Sequence, residues 1–239
     1  MAPRKDKQMG LFSRLFGRRG APATRLAPRS DPPELAAAIA ALQAGDMPAV
    51  LRLAQPHLDA PAPAVRADAQ RLCALAQSRL GAWPAAFGHW HALFELEPTA
   101  HNALQLATTS VMCGEIERGE QWFRQSGELN AASQDTNPVQ AHISLLTALC
   151  NIGRHAEALP YLCWIRDVYR QLHITDDTFL HLRGVPFLSV FLENSWPVLH
   201  AALDAPAIGA WYGELIADLD EDGAQRTRHW LAAQTASVH

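Results

Sequence analysis

The sequence predicts an all-α protein: an α-α superhelix of about four helix-turn-helix repeats, closed by a C-terminal helical cap. Alanine and leucine, which are strong helix formers, dominate an apolar fraction of 49%. No long run alternates polar with apolar residues, which speaks against a strand-rich fold. The third observation is a recurrence of glycines between apolar stripes of helical spacing. These glycines are separated by 36, 33 and 39 residues and are Gly45, Gly81, Gly114 and Gly153.

The same patterns divide the chain into three segments. Residues 1–33 are a basic arm followed by a linker rich in proline and alanine, in which Ser30 or Asp31 is expected to cap the first helix. Residues 34–172 hold the repeats. Residues 173–239 lose the repeat period, and we expect them to form a helical cap. Helical runs are expected there over 177–182, 185–192, 197–203, 207–219 and 225–233.

Charge is distributed very unevenly along the chain. Residues 1–29 hold eight Lys and Arg and one Asp, a net charge of +7. The remaining 210 residues hold 12 Arg and 23 acidic residues, a net charge of −11. A body this acidic argues against nucleic-acid binding through the phosphate backbone.

The arm carries a short amphipathic pattern within residues 9–19. Arginines flank its apolar side, so a weak contact with an anionic membrane surface or with a partner is one expectation. A solvated arm is the other. No apolar stretch in the chain approaches the roughly 18 residues that a membrane-spanning helix needs. The apolar side of the arm consists of Leu11, Phe12, Leu15 and Phe16.

The segment around Gly81 shows the repeat pattern best. A small residue, Ala86, follows the glycine by five positions, and a large one, Trp90, follows it by nine. Pro98 then ends the second helix. Gly119 and Phe123 repeat the small and large positions after Gly114, as do Ala158 and Leu162 after Gly153.

With these residues the segment from about Glu34 to Leu172 resembles tetratricopeptide repeats, which are helix pairs of about 34 residues with the same small and large positions. It departs from the family in lacking the early aromatic of the first helix, where Gln70, Ala103 and His142 stand. Other α-α repeat classes therefore stay open. The resemblance implies that stacked pairs share their apolar faces and that the protein binds another protein.

In the resembled family the first helix of each pair lines a concave groove that holds an extended or helical peptide. Counting from the turn glycines identifies the equivalent positions in this chain. Either they form a binding groove, or several of them pack between repeats. They are Asp68, Arg71, Leu75 and Ser78; His101, Leu104, Thr108 and Val111; and Gln140, Ile143, Thr147 and Cys150.

One motif resembles the start of a calcium loop. Asp218, Asp220 and Asp222 alternate before Gly223, as the oxygen ligands of such a loop do. Position 12 of the loop requires a glutamate, and His229 stands there. We therefore expect an acidic turn in which Asp222 caps the last helix, and no metal site.

Histidines and cysteines give no stronger metal signal. His89 and His91 are two residues apart on a helix and so point about 200° away from each other. Cys150 and Cys163, with a histidine between them, do not have the spacing of common zinc ligands. We expect reduced core cysteines in a cytoplasmic protein.

No nucleophile elbow, catalytic cysteine signature or phosphate loop occurs, so the sequence predicts no enzyme and no cofactor. The leading hypothesis is an adaptor or chaperone-like scaffold of the bacterial cytoplasm that binds a segment of another protein. The first alternative is an immunity or antitoxin-like protein that masks a basic toxin. A metal-dependent enzyme centred on residues 196–230 is the second.

Overall fold

The computed structural model describes residues 32–236, and every regular element among them is helical. The all-α prediction is confirmed. Two 3-10 turns, Pro33–Leu35 and Gln55–His57, accompany the α-helices. These are α1 (Ala36–Ala44), α2 (Met47–Ala54), α3 (Pro63–Arg79), α4 (Trp83–Leu96), α5 (Ala100–Met112), α6 (Ile116–Ser133), α7 (Pro138–Asn151), α8 (His155–Leu172), α9 (Asp177–Arg183), α10 (Leu188–Ala202), α11 (Ala205–Asp218) and α12 (Glu221–Ala236).

The described chain divides into two compact units. We call residues 32–136 and 144–154 the N-terminal unit, and residues 137–143 and 155–236 the C-terminal unit. This division differs from the boundary that the repeat period placed at residue 172, because α8 packs against α10 and α11. The amphipathic pattern of the arm and the expected caps Ser30 and Asp31 lie outside the described residues.

Each of the four glycines that set the predicted period lies in a turn that ends a helix. Gly45, Gly81, Gly114 and Gly153 have φ angles of 78°, 72°, 84° and 73°. This left-handed conformation is costly for residues with a side chain, and glycine adopts it freely. At each turn the residue after the glycine donates its N–H to the carbonyl five residues back, as Asp46 does to Ala41 at 3.0 Å. The sequence therefore located these four chain reversals correctly.

The N-terminal unit is a series of helices in which each packs against the next along the chain, from α1 to α6. Because the turns at Gly45, Gly81 and Gly114 are so short, the two helices that each of them joins run antiparallel. Buried side chains form one cluster around Leu35, Val50 and Cys73 and a second around Trp90 and Leu106. The small and large positions of the repeat pattern thus face the core at Ala86 and Trp90.

Helices α5 and α6 approach each other closely at Gly119. A Cβ atom on Gly119 would lie 2.6 Å from Cγ2 of Val111 and 3.0 Å from the carbonyl oxygen of Ala107. Val111 is fully buried and its β-branched side chain has little rotamer freedom. The small residue that the pattern placed five positions after Gly114 is therefore required by the contact between the two helices.

The C-terminal unit is built around aromatic side chains from α8, α10, α11 and α12. Tyr169 and Tyr212 are fully buried, and the Tyr169 ring lies 4.7 Å from that of Phe191. The Tyr169 hydroxyl donates to the carbonyl oxygen of Pro186, and the Tyr212 hydroxyl lies 2.6 Å from Oγ of Ser195. Buried polar tips with partners let aromatic residues fill the core at little desolvation cost.

Helix boundaries in this unit differ from the predicted runs at one place in particular. Residues 188–202 form the single helix α10, where two runs with a break before Pro197 were expected. A proline inside a helix removes one backbone hydrogen bond. Buried Ser195, Val198 and Leu199 on both sides of Pro197 hold the helix together across that loss. Asp176 caps α9, accepting from the N–H of Phe179 at 2.8 Å.

We predict opposite effects for two glycine substitutions in α6. Gly119→Ala should lower the free energy of unfolding by about 1 kcal/mol or more, because overpacking outweighs the gain in helix propensity. Gly127→Ala is the matched control, since a Cβ atom there meets nothing within 4 Å. It should raise the free energy of unfolding by up to about 1 kcal/mol. Urea unfolding of both variants measures the difference, and equal shifts would contradict the close approach of α5 and α6.

Candidate functional site

The accessible side of α3 carries the predicted side chains in helical register. Asp68, Arg71, Leu75 and Ser78 follow one another at spacings of three and four residues, and each is partly exposed. The opposite side of the helix, including Cys73, is buried. The structure thus places all four predicted residues of this helix on one accessible stripe.

On α5 the structure corrects two of the four predicted positions. Leu104 and Val111 are 5% and 0% exposed, so neither offers its side chain to a partner. Val111 is held in the core by the close contact with Gly119. His101 and Thr108 remain accessible as predicted.

The accessible stripe of α5 includes two residues that the sequence did not identify. Gln105 and Met112 are partly exposed and lie four residues after His101 and Thr108, respectively. Residues at i, i+4, i+7 and i+11 share one side of a helix. We call the two stripes together the α3–α5 face; it consists of Asp68, Arg71, Leu75, Ser78, His101, Gln105, Thr108 and Met112.

An ion-pair group lies at the start of this face. Arg71 pairs with Asp68 one turn away on α3 and with Glu97, whose Oε2 lies 2.6 Å from Nη2 of Arg71. Glu97 immediately follows α4, so the group joins α3 to the short segment between α4 and α5. All three side chains keep partial exposure, of 19% to 32%. Because two carboxylates surround one guanidinium, the group carries a net negative charge.

His101 is the titratable neighbour of this group. Desolvation, followed by the positive charge of Arg71, holds the pKa of His101 below its usual value, and the negative charge of Asp135 opposes this shift. The imidazole and Trp90 rings are nearly perpendicular, with centroids 6.5 Å apart and planes at 77°. A mainly neutral ring of this kind presents a hydrogen-bonding nitrogen rather than a full charge.

The hydroxyl groups of the face are engaged within their own helices. Ser78 Oγ donates to the carbonyl oxygen of Ala74 at 2.8 Å. Thr108 Oγ1 lies 3.2 Å from the carbonyl of Leu104 and 3.1 Å from that of Gln105. Their oxygens can still accept a hydrogen bond from a bound molecule, which suits recognition more than nucleophilic attack.

The predicted residues of α7 are divided between the two units. Gln140 and Ile143 belong to the C-terminal unit, where Gln140 Nε2 donates to the carbonyl oxygen of Gly184 at 2.7 Å. Thr147 and Cys150 belong to the N-terminal unit; Thr147 is exposed and Cys150 is half-buried. Gln140 therefore has a structural contact within its own unit, which spacing alone did not indicate.

His142, one of the residues at the early aromatic position of the repeat, is an aromatic contact of the C-terminal unit. Its ring stacks on that of Trp164, with centroids 3.6 Å apart and planes within 4°. The Nδ1–H donates to the carbonyl oxygen of Pro138 at 2.7 Å. Burial lowers the pKa of His142 to about 4, although this hydrogen bond opposes the shift. The fold therefore holds the neutral imidazole.

The acidic loop before α12 is a structural turn. Asp220 caps α12, since its Oδ1 accepts from the N–H of Gly223 at 2.8 Å; the expected cap, Asp222, lies inside the helix and pairs with Arg226. The helix begins one residue after Asp220, which puts that side chain in reach of the free N–H groups. Asp218 pairs with Arg170 at 2.7 Å.

Asp220 also binds the backbone N–H and the hydroxyl of Thr175, at 2.7 and 2.6 Å. Burial favours a raised pKa for Asp220, but these hydrogen bonds, that from Gly223 and the charge of Arg226 hold it below its usual value. The carboxylates of the calcium-like motif thus have protein partners. Within residues 32–236 no three His, Cys, Asp or Glu side chains are grouped as a metal site would require.

The remaining histidine and cysteine candidates also lie apart. His89 Nδ1 is 2.8 Å from Oε1 of Gln70, whereas the His91 ring faces Trp122. The four cysteines are free thiols, and burial raises the pKa of Cys73 to about 11, so this thiol stays protonated and unreactive.

No protein-family model matches the chain, and no curated protein matches it. Between residues 32 and 236 the helices fall short of the combination of length and hydropathy that crossing a membrane requires.

The assignment of the α3–α5 face predicts different outcomes for two neighbouring residues. Val111→Lys should lower the free energy of unfolding by about 3 kcal/mol or more, because it places an unpaired charge in the core. Met112→Lys should change the free energy of unfolding by less than about 1 kcal/mol, since the side chain reaches solvent. Urea unfolding measures both variants. A Met112→Lys variant as unstable as Val111→Lys would show that the accessible stripe has been misassigned.

The stacked imidazole of His142 predicts a pH dependence of stability. Its folded pKa is lowered, so its contribution is complete above the unfolded value of 6.5 and is lost as the pH falls towards about 4. Across this range the free energy of unfolding of the wild type should fall by up to about 3 kcal/mol more than that of His142→Phe. The phenylalanine variant keeps a ring against Trp164 but has no group that titrates. Urea unfolding as a function of pH measures this. His229→Gln, at an exposed position, should follow the wild type; a parallel decline in His142→Phe would refute the assignment.

Proposed function

We propose that the chain is a non-catalytic protein-binding module, an adaptor or chaperone-like scaffold of the bacterial cytoplasm built on tetratricopeptide-like helix pairs. It binds a segment of another protein against the α3–α5 face. The observation that carries the proposal is the pair of accessible stripes on the first helices of two successive pairs, with the Arg71 ion-pair group between them.

The composition of the face supports a protein segment as its occupant. Leu75 and Met112 offer apolar contact, and methionine adapts its shape to different partners. Gln105 and Thr108 offer hydrogen bonds. An amphipathic helix or extended peptide buries side chains of both kinds together. Because each position is only partly exposed, neighbouring side chains already restrict its motion, which lowers the entropy lost on binding.

The charge of the face favours a particular kind of partner. Arg71, the only cation of the α3–α5 face, already pairs with two carboxylates, so the face is poorly suited to an acidic segment or a terminal carboxylate. We expect a partner with apolar side chains and at least one Lys or Arg directed at Asp68 and Glu97. Opposite charges of this kind set orientation and specificity more than affinity.

An immunity or antitoxin-like role is the second candidate. Its support is the net charge of −11 outside residues 1–29, which would attract a basic toxin over long range. The two roles differ in their interface: a toxin inhibitor would cover an active site over a large acidic surface, and an adaptor would hold a short segment. The salt dependence of the association rate distinguishes them.

The test begins with a partner captured from the native organism, purified and titrated against the full chain. Arg71→Glu with Thr108→Arg should weaken its affinity by about tenfold or more, because losing Arg71 removes the ion pairs that position Asp68 and Glu97, and an arginine at position 108 adds bulk and repels a basic segment. Arg124→Glu with Gln121→Arg is the matched control, with the same charge change on exposed positions of α6. Calorimetric titration measures both. Equal affinities for the two variants would show that the partner binds elsewhere.

A further inference from the structure

The short segment between α4 and α5 has its backbone fixed on both sides of Glu97. The N–H of Glu97 donates to the carbonyl oxygen of Leu93 at 2.8 Å. The carbonyl oxygen of Glu97 accepts from the N–H of Thr99 at 2.9 Å and from Nδ2 of Asn102 at 2.8 Å. A carbonyl oxygen has two lone pairs, so both of its acceptor positions are used. These bonds hold Glu97 in one non-helical conformation, with φ of −136° and ψ of 85°.

Asn102 is a buried polar side chain, and its amide makes one of these bonds. It is 2% exposed and lies in α5 beside Ala103 and Leu106, which are fully buried. Burying an amide costs free energy unless the amide is hydrogen-bonded, so an apolar residue would suit a position that had only to fill the core. The hydrogen bond to Glu97 offsets that cost, and it gives the asparagine a role that an apolar side chain could not take.

The backbone that Asn102 holds carries a carboxylate of the Arg71 ion-pair group. Oε2 of Glu97 lies 2.6 Å from Nη2 of Arg71, a residue of α3 that is 26 positions earlier in the chain. The other carboxylate of the group, Asp68, belongs to α3 itself. Glu97 therefore reaches Arg71 only if the segment after α4 keeps its conformation. Side chains that support a binding group from behind, through hydrogen bonds, hold it in the geometry that binding requires.

We propose that Asn102 is a positioning residue of the α3–α5 face. Through the carbonyl group of Glu97 it holds the Glu97 carboxylate beside Arg71, and it thereby sets where a basic side chain of the partner binds. Asn102 is buried, so it acts through Glu97 and does not touch the partner. Since the placement of opposite charges sets orientation and specificity, Asn102 determines which basic segments fit the face. The inference rests on the proposed function of this face.

The rival explanation is that Asn102 only stabilises the start of α5. Its backbone N–H donates to Oγ1 of Thr99 at 3.1 Å, which is the capping bond of this helix. That bond uses the backbone of residue 102, so it does not require an asparagine there. Thr99→Ala removes the capping bond and leaves the Asn102 amide in place. It is therefore the matched control at the same end of the same helix.

NMR of the Arg71 guanidinium in the full chain tests the inference without a partner. Contacts with Asp68 at Nη1 and with Glu97 at Nη2 slow the rotation of the guanidinium about its Nε–Cζ bond. We expect Asn102→Ala to raise the rotation rate about threefold, as Glu97→Gln should, because both weaken one ion pair. Thr99→Ala should keep the wild-type rate. A wild-type rate in Asn102→Ala, or an equal rise in Thr99→Ala, would overturn the inference.

A second substitution separates positioning from core packing. Asn102→Leu has about the same volume as the wild-type residue but no amide donor, so it should give the same faster rotation of the Arg71 guanidinium. Far-UV circular dichroism and urea unfolding report whether each variant is folded. Loss of the fold in both Asn102 variants would overturn the inference, since a positioning residue is dispensable for folding.

The purified partner, titrated by calorimetry, separates this inference from the proposed function. Asn102→Leu should weaken its affinity by the same factor as Glu97→Gln, about fivefold, and the double variant should weaken it no further. The losses do not add because both variants act on one contact. Additive losses would overturn the positioning role. Wild-type affinity in all three variants, together with faster rotation of the Arg71 guanidinium, would instead refute binding at the α3–α5 face.

Discussion

The left-handed turn after each first helix is the constraint on which the rest of the structure depends. At Gly45, Gly81, Gly114 and Gly153 the chain leaves a helix through a positive φ angle, and two backbone hydrogen bonds close the turn. A residue with a side chain would be strained in this conformation, which glycine adopts without that cost. Within the N-terminal unit, the reversals at Gly45, Gly81 and Gly114 bring the two helices on either side of each turn into contact.

Close packing then decides which side chains remain available for binding. Gly119 lets α6 approach α5 so closely that Val111 is enclosed between them. This sets the rotation of α5 and leaves His101, Gln105, Thr108 and Met112 on the accessible side. The candidate face is thus a consequence of core packing. The small size of Gly119 in α6 determines which side of α5 stays accessible.

Most of the polar side chains whose sequence pattern resembles a metal or active site take part in ion pairs, hydrogen bonds or ring stacking within the fold. Asp218, Asp220 and Asp222 each have a partner within the C-terminal unit, and His142 stacks as a neutral ring on Trp164. Buried or half-buried polar groups require such partners, because leaving them unpaired costs free energy. What stays accessible in the N-terminal unit is the mixed polar and apolar α3–α5 face, which suits contact with a polypeptide segment.

The sequence by itself determined the helical class, the four glycine turns, the small residues at the helix contacts and the accessible stripe of α3, because each depends on local backbone preference or on a regular period. It did not determine the rotation of α5, the continuity of α10 through Pro197, or Asp220 as the cap of α12. Only the tertiary structure decided these. Rotation and continuity depend on side chains far apart in the chain that pack together, and no period along the sequence encodes which of two neighbouring positions turns inward.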